Sequence, residues 1–283
     1  MGNRKHVLIF LLSTLILSCT ERIDIKLDEN YSRLVVDGSL TTDTMKHRII
    51  LSVTSDYFYD RPPEMVSEAN VTISDGTSTE ILMEAEPGIY YTNADYAGMP
   101  GKTYTLKINL RKPVGGFSDY TASSTLFPVF RLDSIGLEFI EGGYDNKGLW
   151  VIKSYFYDPP TRDYYRILIS RNSEMITDTL NEWYVTDDIF FNGRYSDGLP
   201  IGYLLQGYHD NTVDPGDTIT AEINGIEKQY EGFVLDAQAE IRGFNPLFSG
   251  PSANVKGNVS NGAIGFFAAY SVTRASAIIP SHK

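Results

Sequence analysis

Short apolar runs, broken at close intervals by turn-forming residues, restrict this chain to a β-rich fold. Seven such runs lie within residues 33–128. The clearest of them has a large residue at every second position: Tyr104, Leu106, Ile108 and Leu110. This period of two places the large side chains on one face of a sheet. Turn formers such as Asp75-Gly76 and Pro100-Gly101 separate the runs, and we predict an immunoglobulin-like β-sandwich over residues 33–128.

A second β-rich, sandwich-like domain is predicted over residues 129–283. Pro128 follows the last run of the first domain, and new strand-like runs begin at Ile135. One amphipathic helix is predicted at about residues 226–242, where apolar residues recur at helical spacing and Gly243 follows. The sequence leaves two arrangements open for this domain, a second sandwich or a more open sheet with the helix packed on one face.

The first nineteen residues have the form of a lipoprotein signal. Basic residues precede an 11-residue apolar run over residues 7–17, which is shorter than the roughly 20 residues of a membrane-spanning helix. Cys19, the only cysteine in the sequence, follows Ser18. Leu17 stands two positions before the cysteine, where such signals usually have a small residue. The alternative to a lipidated Cys19 is a buried or unpaired thiol. We predict a signal peptide at residues 1–18, a lipid on Cys19 and a tether over residues 19–32.

Lipidation of Cys19 would hold an acidic protein body at a membrane through acyl chains. Each buried methylene contributes about 0.8 kcal/mol to the membrane binding. The full chain has a formal net charge of −12, from 24 basic and 36 acidic residues. Residues 1–18 contain two of these bases and no acid, so the mature chain has a net charge of −14. Nucleic-acid binding depends on basic side chains that neutralise phosphates. We therefore predict no nucleic-acid partner.

Motifs of metal-dependent and nucleotide-dependent catalysis are absent from the sequence. Three histidines remain after the signal: His47, His209 and His282. They form no His-Glu-x-x-His motif, and no nucleophile elbow or phosphate-binding loop is present. The segment 209–217 reads as a His–Asp pair, as a calcium loop or, the interpretation we favour, as a surface turn. We predict no catalytic residue, no metal and no cofactor.

Aromatic residues are concentrated in the second domain and supply candidate contacts. The candidate ligand or partner contacts are two acids and the aromatic residues around them: Trp183, Tyr184, Asp187, Asp188, Tyr195 and Tyr208. Tyrosine and tryptophan are typical of stacking platforms and docking surfaces, and ordinary sheet packing is the alternative. A catalytic pair of carboxylates would have to face each other about 5–10 Å apart, whereas neighbours on a strand point to opposite faces. We therefore expect a turn or a helix start at Asp187-Asp188.

Several stretches, taken in order, resemble a known family. They are YFYDPP, YYRILI, DDIFFNG, PGDTITAEI and NPLFSGPSANVKGNVSNGAIGFFAAYS. They are similar to the Bacteroidota outer-membrane lipoproteins grouped as domain of unknown function 4249, and the resemblance covers nearly the whole mature chain. Members of that family are typically encoded beside TonB-dependent receptors. The family has no known catalytic residues to transfer to this sequence.

The resemblance implies a function as well as a fold. We expect an outer-membrane lipoprotein, anchored through Cys19, that acts as a non-enzymatic accessory of a TonB-dependent nutrient uptake system by binding ligand or docking on the receptor. A structural or adhesive cell-surface lipoprotein is the alternative. A hydrolase that uses Asp187, Asp188 or the His209 loop is a less favoured third. The face of the membrane that the body occupies is left open.

Overall fold

A computed structural model describes most of the chain beyond the predicted tether. The described ranges are 32–55, 62–142, 147–207, 212–242 and 255–281. Cys19, the tether before residue 32 and Tyr208 lie outside the described residues.

The described residues form sixteen strands, a 3₁₀ turn and one α-helix. In chain order, they are β1 Leu34–Thr41, β2 Arg48–Val53, β3 Asn70–Ser74, β4 Thr79–Ile81, β5 Met83–Glu86, β6 Ile89–Tyr91, β7 Thr103–Val114, β8 Phe117–Thr125, β9 Leu132–Ile140, β10 Leu149–Phe156, β11 Tyr164–Arg171, β12 Glu174–Met175, the 3₁₀ turn Leu180–Glu182, β13 Tyr184–Asp187, β14 Leu199–Leu205, β15 Thr218–Ile226, α1 Lys228–Ile241 and β16 Ile264–Ile278. The predicted mainly β fold is confirmed. No helix among the described residues is long and apolar enough to cross a membrane.

Three sheets build the fold. The nine-stranded sheet has the order β12-β11-β15-β16-β1-β2-β6-β5, and β13 also pairs with β11. A four-stranded sheet has the order β4-β3-β7-β8, and a three-stranded sheet has the order β14-β10-β9. The inner face of the nine-stranded sheet is the one that packs against the two smaller sheets.

The first hydrophobic core lies between the four-stranded sheet and the β1–β2 part of the nine-stranded sheet. The alternating residues of β7 are all buried in it: Tyr104, Leu106, Ile108 and Leu110. They share the core with Leu34 and Val36 of β1 and Leu51 of β2. Because burying one such side chain contributes about 1.5–3 kcal/mol, the period-two pattern fixes which face of β7 turns inward.

The second core lies between the three-stranded sheet and strands β11 and β15. Trp150 and Phe156 of β10 pack there with Tyr165 and Ile167 of β11. On the outer face of the nine-stranded sheet, α1 buries Tyr230 among aromatic residues of β16. Both arrangements that the sequence left open are therefore present, with a small sheet on one face of the large sheet and the helix on the other.

Strand β16 links the two cores. It pairs with β1 in parallel, from Val35 with Ile264 to Thr41 with Tyr270, and with β15 in antiparallel. Its residues Phe267 and Ala269 belong to the first core, whereas its later residues pack on the second. The sequence placed all of β16 in the second domain, because a pairing between strands so far apart in the chain has no local signal.

Candidate functional site

An apolar groove opens beside the second core, between strand β13 of the nine-stranded sheet and strand β14 of the three-stranded sheet. Within the described residues, β13 pairs only with β11, and β14 pairs only with β10. Two cavities between them share three lining residues, Ile167, Tyr184 and Ile201. We refer to these two cavities together as the edge groove.

The cavities of the edge groove are small. The first encloses about 110 Å³ and is lined mainly by aromatic and aliphatic side chains, with Thr186 and Asp187 at its polar side. The second encloses about 240 Å³ and includes Glu182 and Tyr203. Sites for small molecules typically enclose about 300–1,000 Å³. Each cavity is therefore better matched to an inserted side chain than to an entire small ligand.

Exposed apolar side chains lie in the edge groove and on the loops that follow β10 and β13. We call them the aromatic rim: Tyr157, Tyr184, Ile189, Phe190, Tyr195 and Tyr203. Each exposes about half of its surface or more, and Phe190 is 89% exposed. Phe190 and Tyr184 line the first cavity, Tyr203 lines the second, and Tyr157 forms a bridge with Tyr195. Large exposed apolar side chains that cluster in this way are typical of interaction sites.

Two buried carboxylates hold the rim loops together. Asp158 and Asp188 are both 0% exposed. Asp158 accepts hydrogen bonds from the Tyr165 hydroxyl at 2.7 Å and from the Gly193 backbone N–H at 3.3 Å. Asp188 accepts one from the backbone N–H of Asp163 at 2.9 Å. Each carboxylate thus binds the loop that carries the other, and we call the pair the carboxylate clasp.

The loop after β13 is fixed by further bonds. The Asn192 side-chain amide donates to Asp188 at 3.1 Å and to the Thr161 carbonyl at 2.7 Å. The backbone N–H groups of Phe191 and Asn192 both donate to the Asp188 carbonyl at 2.8 Å. Because Phe190 sits within this turn, its ring is exposed on a loop with a defined conformation.

The clasp has unusual electrostatics. Burial raises the pKa of Asp158 to about 6, opposed by its hydrogen bonds from Tyr165 and Gly193 and assisted by the nearby Asp188 and Asp163. Burial, the hydrogen bond to Asp158 and the nearby acids also raise the pKa of Tyr165. The second oxygen of Asp188, Oδ1, is buried and has no hydrogen-bond partner among the described residues. The raised pKa means that ionised Asp158 is less favourable in the folded protein than in water.

The predicted contact residues divide into two groups. Tyr184 and Tyr195 lie exposed on the rim, and Asp187 lines the first cavity. Asp187 also accepts a hydrogen bond from Arg162 at 2.7 Å, and β13 ends there. Asp188 is buried and Trp183 is partly buried against the cluster around α1, and neither lines the groove. Sequence reasoning missed Phe190, although an apolar pair inside the turn-forming stretch DDIFFNG was a signal for it.

Trp183 forms part of a cage around a buried arginine. Arg166 is 4% exposed, and its guanidinium carbon lies 4.6 Å from the Trp183 ring centroid and 4.5 Å from that of Tyr270. Its Nε donates to the Asn224 side chain at 2.9 Å, and Nη1 donates to the Tyr230 hydroxyl at 3.1 Å. Cation–π contacts of a desolvated guanidinium are worth about 2 kcal/mol. Arg166 therefore fastens α1 to the outer face of the sheet.

Metal ligands do not converge in the part of the chain that the structure describes. No three His, Cys, Asp or Glu side chains there are placed to hold a metal ion. His47 is buried, and its Nε2 lies 3.1 Å from the Tyr96 carbonyl.

Comparison with protein families identifies a match to most of the chain. A family model described as Domain of unknown function (DUF4249) matches residues 20–276. The matched region begins one residue after Cys19 and includes β1 to β15 and most of β16. No curated protein matches the chain.

Proposed function

Because the chain belongs to the family described as Domain of unknown function (DUF4249), we propose that it is an outer-membrane lipoprotein that docks on a TonB-dependent receptor. In this proposal Cys19 carries the lipid, and the protein is a non-enzymatic accessory in nutrient uptake. The signal-like segment before Cys19 supports the anchor, and so does a family match that starts at residue 20.

The observation that carries the docking role is the exposure of Phe190 beside the edge groove. A phenylalanine that is 89% exposed contributes almost none of the roughly 1.5–3 kcal/mol that its burial would give the fold. Aromatic residues at the centre of an interface often supply most of the binding energy. The clasp holds the loop in place, which lowers the entropy cost of binding.

The cavity volumes favour a protein partner over a small ligand. The first cavity, at about 110 Å³, has room for a side chain. Within the described residues β13 and β14 each have one strand partner, so each has an edge to which a partner strand could be added. A receptor surface that presents apolar side chains would fill the groove and cover the rim together. An extended contact of this kind needs no pocket of small-molecule size.

The geometry of Asp187 and Asp188 gives little support to the hydrolase alternative, and His209 lies outside the described residues. Asp188 is 0% exposed, and its Oδ2 is bound to the backbone of Asp163. Asp187 is held by Arg162. The two carboxylates therefore do not face each other across the groove. An adhesive role stays the second candidate, because exposed tyrosines such as Tyr157 and Tyr203 are also suited to stack on a sugar polymer.

Copurification tests the proposal. The tagged protein would be extracted from outer membranes of its own host in mild detergent, and its partners would be identified by mass spectrometry. We expect a TonB-dependent barrel in stoichiometric amount. Phe190→Ser should lower its recovery by about tenfold or more, the effect of a central interface aromatic. Phe117→Ser, at an exposed phenylalanine on β8, is the matched control and should retain the barrel.

Two results would contradict the proposal. Recovery of the protein alone, from a detergent that preserves other barrel complexes, would remove the receptor as partner and favour adhesion. Equal recovery with Phe190→Ser and Phe117→Ser would place the contact elsewhere. Cys19→Ser tests the anchor separately, since the variant should be released as soluble protein, and membrane retention would show that the anchor is not at Cys19.

A further inference from the structure

A further cavity lies on the outer face of the nine-stranded sheet. Strands β1, β2, β6, β15 and β16 and the loop after β1 line it. Three cross-strand pairs set its geometry: Arg48 with Tyr91, Thr41 with Tyr270, and Glu222 with Arg274. Its volume is about 420 Å³, which lies within the range of about 300–1,000 Å³ that is typical of small-molecule sites. We call it the sheet-face cavity.

Both carboxylates of the sheet-face cavity form ion pairs with one arginine. The Nη1 and Nη2 atoms of Arg274 donate to Asp43 at 3.1 and 2.6 Å, and its Nε donates to Glu222 at 2.7 Å. Glu222 also accepts a hydrogen bond from the Asn224 side chain at 2.9 Å. These ion pairs fix the acids in place, and the arginine compensates one of the two negative charges.

Two further cations line the cavity without such partners. Lys46 and Arg48 are exposed, and neither has an ion-pair partner among the described residues. His47 adds no charge at neutral pH, because burial lowers its pKa. The cavity therefore has three cationic side chains against two carboxylates. An excess of one positive charge, on a chain of net charge −12, indicates an anionic ligand.

We propose that the sheet-face cavity binds a small hydroxylated monocarboxylate, of the sugar-acid class. The guanidinium of Arg48 suits bidentate recognition of a carboxylate, and Lys46 adds a second charge. Ser39 and Tyr91, which also line the cavity, supply hydroxyls, and the Tyr91 ring supplies an apolar surface for a sugar. A phosphate monoester carries a charge of about −1.5 to −2 and would leave excess negative charge in the cavity.

This site is independent of the edge groove. Its residues lie on the outer face of the sheet, and no residue lines both sites. The receptor proposal and the ligand proposal can therefore fail separately.

Calorimetry on the full-length protein in detergent tests the inference. The probes are galacturonate and gluconate, with neutral galactose and inorganic phosphate as comparisons. We expect at least one of the two acids to bind at millimolar concentration or below, and galactose to bind at least about tenfold more weakly. Arg48→Gln should weaken binding of the acid by about tenfold or more. Arg131→Gln, at an exposed arginine outside the cavity, should leave it unchanged.

Several results would overturn the inference. If neither galacturonate nor gluconate binds at millimolar concentration, the proposed ligand class is excluded. Equal binding of galactose would remove the role of the carboxylate. Tighter binding of phosphate would show that the cavity selects a dianion. An unchanged affinity in Arg48→Gln, with normal thermal unfolding, would place the ligand outside the sheet-face cavity.

Discussion

Replacing Asp158 with asparagine is expected to remove a pH-dependent loss of stability that the carboxylate clasp imposes on the fold. The asparagine oxygen can still accept the hydrogen bond of the Tyr165 hydroxyl, which lies 2.7 Å from Asp158 in the native protein. The substitution therefore keeps the main contact of the clasp and removes its titration. The variant and the wild type should differ in stability by an amount that changes with pH.

The magnitude follows from the pKa of Asp158. Its value is raised from 3.8 to about 6, chiefly by burial. At about 1.4 kcal/mol for each pH unit, this difference corresponds to about 3 kcal/mol. An acid with a raised pKa binds its proton more tightly in the folded state, so its stabilising contribution is complete below pH 3.8. That contribution is lost as the pH rises through 6.

Urea denaturation at pH values between 4 and 8 measures the effect. The free energy of unfolding of Asp158→Asn minus that of the wild type should rise by about 2–3 kcal/mol from pH 4 to pH 7.5. Other titrating groups are common to both proteins and cancel in this difference. A constant difference for Asp158→Asn would refute the reasoning.

Two further predictions concern the supports of the fold. Arg166→Ala should lower the free energy of unfolding by about 3–5 kcal/mol, because it leaves a void and buried polar partners without hydrogen bonds. The control is Arg111→Ala, at an exposed, ion-paired arginine, which should lower the free energy of unfolding by less than about 1 kcal/mol. Similar losses in urea denaturation would argue against the aromatic cage. Gly265→Ala should cost at least about 3 kcal/mol, since its φ is +99° and a Cβ would lie 2.0 Å from the Val36 carbonyl. Gly262→Ala, with φ +71° and open space, should cost about 1 kcal/mol, and equal melting temperatures for the two variants would contradict the close approach.

The elements with a strong local pattern could be predicted from the sequence. The alternation from Tyr104 to Leu110 predicted the buried face of β7, and the helical spacing predicted α1 to within two residues at each end. The neighbours of β16 could not be predicted in the same way. Its run of apolar residues indicates a buried strand but does not say which strands lie beside it.

The candidate site shows the same limit at the level of side chains. The tyrosines and Asp187 could be selected by residue type, and Tyr184 and Asp187 do line the edge groove. The burial of Asp158 could not be anticipated, because its Asp-Pro-Pro context is typical of an exposed turn and the loop residue that binds it, Gly193, comes 35 positions later. Arg166 was hidden within an apolar strand, where only the tertiary fold supplies its aromatic neighbours.

The parallel pairing of β1 with β16 has a consequence for the order in which this chain folds. Directly after β1, the Thr42 hydroxyl accepts a hydrogen bond from the Val272 backbone N–H of β16, which lies 230 positions away in the sequence. Pairings between residues so far apart slow folding, because the chain loses the entropy of closing the intervening loop before the strand contacts stabilise it. The first core lacks Phe267 and Ala269 until the last part of the polypeptide has emerged. We propose that the protein is exported. Late completion of the first core would then keep the chain unfolded during translocation, so that it folds after it has crossed the membrane.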